Sequence, residues 1–202
     1  MMLSINSENP QMRLIRKAVD TLRDGGIIIY PTDTAYGMGC DLFNRRAIEK
    51  IYEIKQRNTK QPFSFVCADL SDISRYAIVT NYAYKVMKHY LPGPYTFILE
   101  ASRMVPKILL MKRKAVGIRV PDNRICLTLV KEFGNPIIST TVTSAPGEAM
   151  TDPTDMTERF GNRVDLVIDG GIMGPELSSV VSLVDDTPEV LREGKGDVSA
   201  FQ

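Results

Sequence analysis

Apolar positions along the chain alternate between two rhythms, one near 3.6 residues and one of short unbroken runs. In "NPQMRLIRKAVDTLRDGG", residues 9–26, Leu14, Ile15, Ala18, Val19 and Leu22 fall on one helical face, and Gly25 and Gly26 follow where a helix should stop. "IIIY" comes next and predicts a central strand covered on both faces. "NRRAIEKIYEIKQR" returns to helical spacing, with Asn44 as N-cap and Ala47, Ile48, Ile51 and Ile54 turned to the core. "PFSFVC" predicts a strand, and "NYAYKVMKHYL" a helix halted at "PGP". "YTFILEA", "AVGIRV", "PIIST", "DLVID" and "SVVSLV" are further strands, with helices over 124–133 and 154–160. Strands and helices that alternate throughout predict a single α/β domain with a twisted, largely mixed sheet flanked by helices.

Composition narrows the class. The 202 residues are 44% hydrophobic and 24% charged, which suits a globular chain with a core of ordinary size. No apolar stretch nears the roughly 18 residues of a membrane span, and "MMLSINSENP" lacks the basic and apolar regions of a secretion signal. No membrane contact and a cytoplasmic location are expected. Cys40, Cys67 and Cys126 are scattered, and the lone His89 cannot complete a zinc set with them, so reduced buried thiols and no protein-held metal are expected.

Charge changes the picture more. Residues 1–131 hold 21 Lys/Arg against 11 Asp/Glu, a net of +10, whereas residues 132–202 hold 4 against 13, a net of −9. Either the halves pair with each other, or the basic half attracts an anion such as a nucleotide or a nucleic-acid backbone.

In open α/β sheets, ligands settle at the carboxyl ends of strands. "PTDTAYG" follows the first predicted strand, "KQR" (Lys55, Gln56, Arg57) ends a helix, Arg119 ends a strand, and "STTVTSAPG" follows "PII". These segments offer hydroxyls and cations but no Ser/His/Asp set, no GxxxxGK[ST] loop and no GxGxxG. They fit a site that positions substrates and neutralises phosphate better than one that forms a covalent intermediate. Each piece has a plainer alternative. Thr32, Asp33 and Thr34 suit a turn, Lys55 and Arg57 complement a helix dipole, and Ser139 to Thr143 suit a strand. Arg119, between an apolar run and Pro121, needs a partner, either an acidic side chain or a ligand carboxylate.

Order and spacing add what the pieces lack. "GGIIIYPTDTAYGMGCD", "AIEKIYEIKQR", "LPGPYTFIL", "VGIRVPDN", "PIISTTVTSAPG", "SSVVSLVDD" and "VLREGKGD" follow one another across residues 25–197. Together they resemble the YrdC family, whose best-known members are threonylcarbamoyl-AMP synthases, and the endings are most similar to its YciO-type branch. The resemblance implies a YrdC-like domain over 9–197 with a basic concave cavity. It also implies condensation of L-threonine, bicarbonate or CO2, and ATP with Mg2+, to threonylcarbamoyl-AMP and pyrophosphate. That product serves tRNA threonylcarbamoyladenosine modification, with partner proteins for the transfer to tRNA.

Residue by residue, the resemblance implies that Thr34, Arg119, Ser139 and Ser178 hold threonine, with Thr32 and Tyr36 shaping the pocket. Lys55 and Arg57 match a Lys-x-Arg motif implied to bind ATP phosphates and to act catalytically as pyrophosphate leaves. Thr141, Thr143 and Arg192 are implied at the nucleotide, with Ser139 beside them. One departure stands out, because the family's Ser-x-Asn motif is Thr141-Val142-Thr143 here. Thr143 lacks the amide's two donors and carbonyl, and one charge-assisted bond is worth roughly 1.5–3 kcal/mol. A rival expectation is a YciO-type protein that binds RNA, whether double-stranded RNA, tRNA or the ribosome, through the basic cavity and "KRK" (Lys112, Arg113, Lys114), without efficient synthase activity. A paralogue acting on another amine or nucleotide is a third.

Overall fold

The computed structural model describes residues 1–55, 63–71, 73–110, 114–145 and 148–202. It opens with a short strand β1 (Met2–Ser4), then helix α1 (Met12–Arg23), strands β2 (Ile28–Tyr30) and β3 (Gly37–Asp41), and helix α2 (Arg45–Ile54). Strand β4 (Ser64–Val66), helix α3 (Asn81–Tyr90), strands β5 (Tyr95–Glu100) and β6 (Ala115–Arg119), and helix α4 (Arg124–Phe133) follow. Then come β7 (Ile137–Thr141), the two-stranded hairpin β8 (Thr143–Ala145) and β9 (Glu148–Ala149), α5 (Pro153–Phe160), β10 (Leu166–Asp169), β11 (Ser179–Ser182) and β12 (Glu189–Arg192).

Among the described residues ten strands form one mixed sheet, in the order β1-β10-β2-β3-β7-β4-β6-β5-β11-β12. Parallel pairs such as β4 with β6 are mixed with antiparallel pairs such as β3 with β7. The predicted helices and strands are present, with ends moved by up to three residues; the second predicted helix stops at Ile54, with Gln56 and Arg57 outside the described residues, and "SVVSLV" turns at Val184 into a 3-10 turn. Four elements escape the sequence pattern: β1, β3, β12 and the β8–β9 hairpin.

Local chemistry sets the boundaries. The Asn44, Thr80 and Asn123 side chains each accept a backbone N–H in the first turn of α2, α3 and α4. Gly134 ends α4 at φ +84° in the left-handed region, where a side chain would be strained. Alternate strand residues then face two cores. On one side, α1 and α4 bury Ile15, Leu22, Cys126 and Leu129 against Ile28, Tyr30 and Ile168. On the other, α2, α3 and α5 cover Ile29, Met38, Phe65, Phe97 and Ile118. "IIIY" is therefore buried on both faces, as its composition predicts. All three cysteines are thiols outside any disulfide, and all are buried. Among the described residues no helix is long and apolar enough to cross a membrane.

Candidate active site

Strand alternation builds the site. Thr96 and Ile98 of β5, Gly117 and Arg119 of β6, Ser139 and Thr141 of β7, and Val180 of β11 are successive same-face positions, and all line one cavity of about 220 Å³. Phe63, Ser64, Thr140, Ser178 and Arg192 complete a lining rich in hydroxyls with two guanidinium groups.

Arg119 finds the acidic partner its position demands. Its Nη2 donates to Asp33 Oδ1 at 3.0 Å and to Thr34 Oγ1 at 3.0 Å, with the Arg119 and Asp33 side chains only 9% and 8% exposed. Asp33 Oδ2 accepts the Asp122 N–H, and Asn123 Nδ2 donates to the Thr32 carbonyl, so the "VPDN" segment clamps the "PTDT" turn. The turn also bonds within itself, Thr32 Oγ1 accepting the Thr34 N–H and donating to the Ala35 carbonyl. Thr32 to Thr34 thus serve both as local turn and as support for Arg119. Arg119 Nε is buried without a partner among the described residues.

Arg192, also lining the cavity, donates from Nε and Nη2 to the Ser178 carbonyl at 3.0 and 2.8 Å, and from Nη2 to Ser178 Oγ at 3.1 Å. Ser178 Oγ also shares a proton with Thr96 Oγ1 at 2.8 Å. Partial burial first, and then the like charge of Arg119, lower the Arg192 guanidinium below its ordinary pKa. A second cation placed where the first repels it is an arrangement that an anion between them relieves.

Lys55 caps the C-terminus of α2, and its Nζ donates to the Thr141 carbonyl at 2.9 Å and to Thr143 Oγ1 at 2.6 Å. The structure therefore gathers Arg119, Ser139, Thr141, Ser178 and Arg192 around one cavity, sets Thr34 behind Arg119, and ties Lys55 directly to Thr143 and to the Thr141 carbonyl. Arg57, Lys112 and Arg113 lie outside the described residues. Tyr36 is placed differently from the expectation: its hydroxyl accepts from Gly170 N–H and donates to the Gly171 carbonyl, so it braces that loop and does not line the cavity. Sequence reasoning passed over Ser64, Thr96 and Tyr30; the alternating register of β4 and β5 was the available signal for the first two. Among the described residues no group of His, Cys, Asp and Glu could hold a metal.

A mixed sheet that presents hydroxyls and two arginines to one cavity defines an α/β domain with a cationic, hydroxyl-lined site. Residues 20–194 match the profile of the Sua5/YciO/YrdC family, described as telomere recombination, and the chain belongs to that family. Uncharacterised YciO of Escherichia coli is 44% identical over 200 residues, 98% of this chain and 97% of that one. The E. coli YciO crystal structure matches with a TM-score of 0.95 at 42% identity, covering 100% of this chain and 99% of that one. The threonylcarbamoyl-AMP synthase of Bacillus subtilis is 30% identical over 194 residues, 94% of this chain and 55% of that protein. Pyrococcus abyssi Sua5, solved in complex with L-threonine, matches with a TM-score of 0.89 at 27% identity, covering 96% of this chain and 57% of that one.

Proposed function

We propose that the protein is a threonylcarbamoyl-AMP synthase, joining L-threonine, bicarbonate or CO2, and ATP for tRNA modification. The observation that carries this reading is the pair Arg119 and Arg192 facing one hydroxyl-lined cavity, with Lys55 at its Thr141 edge. The names of the B. subtilis relative and of the threonine-bound P. abyssi structure support it.

In the proposed reaction the threonine amine forms a C–N bond to CO2 and loses a proton. The resulting carbamate oxygen attacks the α-phosphorus of ATP, and the bond to pyrophosphate breaks with its electron pair. Arg119, held by Asp33 and Thr34, offers its guanidinium to the threonine carboxylate. Ser139 and Ser178 supply further donors to the amino acid. Lys55, Arg57, Thr141, Thr143 and Arg192 serve the nucleotide, the cations offsetting charge on the departing pyrophosphate. Magnesium would enter with ATP as part of the substrate, and Asp33 is already engaged with Arg119. Transfer to tRNA falls to partner proteins.

The test is pyrophosphate release from MgATP and bicarbonate, with and without L-threonine, for wild type and Lys55→Ala. Threonine-dependent release lost in the variant is expected. Absence of release, with RNA bound in a salt-sensitive way, would overturn the reading in favour of an RNA-binding protein.

A further inference from the structure

Tyr30 closes β2 with its side chain fully buried, yet its hydroxyl reaches a cavity wall two strands away. The ring passes along β3 at Gly37 and Gly39. A Cβ on Gly37 would stand 2.8 Å from Tyr30 Cζ and 3.0 Å from Ser139 Oγ, and one on Gly39 would stand 3.2 Å from Tyr30 Cε1. Beyond these two glycines the phenol donates to Ser139 Oγ at 2.6 Å. Phenylalanine would serve the core equally well at this position, so the hydroxyl calls for an explanation of its own.

A hydroxyl carries one proton and two acceptor sites. The phenol is the stronger acid of the two groups and therefore the donor. Burial chiefly, with the Cys126 thiol next, raises its pKa well above the ordinary value, so it remains a neutral donor throughout the working pH range. Ser139 then cannot return its own proton to Tyr30. Among the described residues no acceptor is bonded to the Ser139 O–H, and Ser139 lines the cavity.

We propose that Tyr30 is a positioning residue that fixes the Ser139 hydroxyl as a hydrogen-bond donor into the cavity, selecting an oxygen that only accepts, from a carboxylate or a phosphate. The inference rests on the synthase reading only for which anion is served, the threonine carboxylate or a nucleotide phosphate. Gly37 and Gly39 are the passage that the relay requires.

Calorimetric titration with L-threonine and with inorganic pyrophosphate, on wild type, Tyr30→Phe, Ser139→Ala and the double variant, tests it. Each single variant is expected to weaken one of the two ligands about tenfold and to leave the other unchanged. The double variant should be no weaker than Ser139→Ala alone. The anion that weakens identifies the oxygen served. Gly37→Ala, which wedges a methyl group between the ring and Ser139, should reproduce the loss if Tyr30→Phe does not fold. The proposal is overturned if Tyr30→Phe binds both ligands as wild type does while Ser139→Ala is weakened, if the two losses multiply, or if wild type binds neither anion. Threonine-dependent pyrophosphate release, measured alongside, separates the two claims. Release without the coupling keeps the synthase reading and sinks this inference, whereas coupling without release does the reverse.

Discussion

The Lys55 ammonium lies 2.6 Å from Thr143 Oγ1 and 2.9 Å from the Thr141 carbonyl, so the cation that ends α2 is tied to the end of β7. Where the family resemblance implies an asparagine, this chain has a hydroxyl that accepts from the lysine and keeps one proton to donate onward. Thr143→Val removes that hydroxyl at nearly constant volume and takes from Lys55 its 2.6 Å acceptor, while the Thr141 carbonyl stays in place. Pyrophosphate release is expected to fall about tenfold, with little change in melting temperature. Thr143→Asn, which regains two donors while still accepting from Lys55, should exceed the wild-type rate. Initial rates for the three proteins decide it, and an unchanged rate in Thr143→Val would remove Thr143 from the nucleotide site.

The Arg119–Asp33 pair makes two kinds of error separable. Arg119→Ala leaves the Asp33 carboxylate buried without its cation, which costs about 3–5 kcal/mol. Arg119→Lys keeps the charge but not the fork, so stability should fall less while the KM for L-threonine rises tenfold or more. Urea unfolding should therefore separate the two variants, with Arg119→Ala the less stable, while the threonine KM should rise in both. Equal destabilisation by the two substitutions would show that the charge of Arg119 does not hold Asp33.

Helices and buried strands are legible in the sequence because their apolar spacing is dictated by the two cores. β3 is not, because "GMGCD" carries two glycines that weaken any strand pattern, and they are there for Tyr30 and for the neighbouring backbone rather than for the ladder. β12 fails differently: Glu189–Arg192 lies at a sheet edge and is largely exposed, so no apolar rhythm marks it. Within the site, the need of Arg119 for a partner is legible, but the choice of Asp33 from 86 positions away is not. The lysine–hydroxyl contact of Lys55 with Thr143 is equally hidden, since it joins a helix end to a strand end 88 positions on.

Gly39 tests the packing at β3 directly. A Cβ there would meet the Ile138 carbonyl oxygen at 2.2 Å, a distance that only separation of β3 from β7 can relieve. Because Ser139 and Thr141 stand on β7, that separation would open the cavity wall as well as the ladder. Gly39→Ala is expected to cost at least about 3 kcal/mol and to lose ligand binding before it unfolds. Denaturant melts with and without L-threonine check both; a wild-type midpoint would show that the strands can part cheaply.

The buried thiols, together with the buried Tyr30 and Tyr36 phenols, weaken the fold at alkaline pH. Burial raises Cys126 from 9.0 to about 12, with Arg119 partly offsetting the shift, and burial likewise raises Cys40, next to the Asp41 carboxylate. In the unfolded chain these thiols ionise near their ordinary values, while in the native state they stay protonated. Above about pH 9 the unfolded state therefore binds fewer protons, and stability falls as pH rises. The contribution is complete below pH 9 and is lost progressively up to about pH 12, at roughly 1 kcal/mol per thiol for each pH unit. Cys126→Ala removes one thiol's share, so its urea midpoint should decline less steeply between pH 9 and 11 than that of wild type. The same burial should keep both native thiols unreactive toward a disulfide reagent at pH 8 until denaturant is added. Parallel slopes for wild type and variant would mean that Cys126 ionises in the folded state as it does in the unfolded chain, and would overturn the assignment.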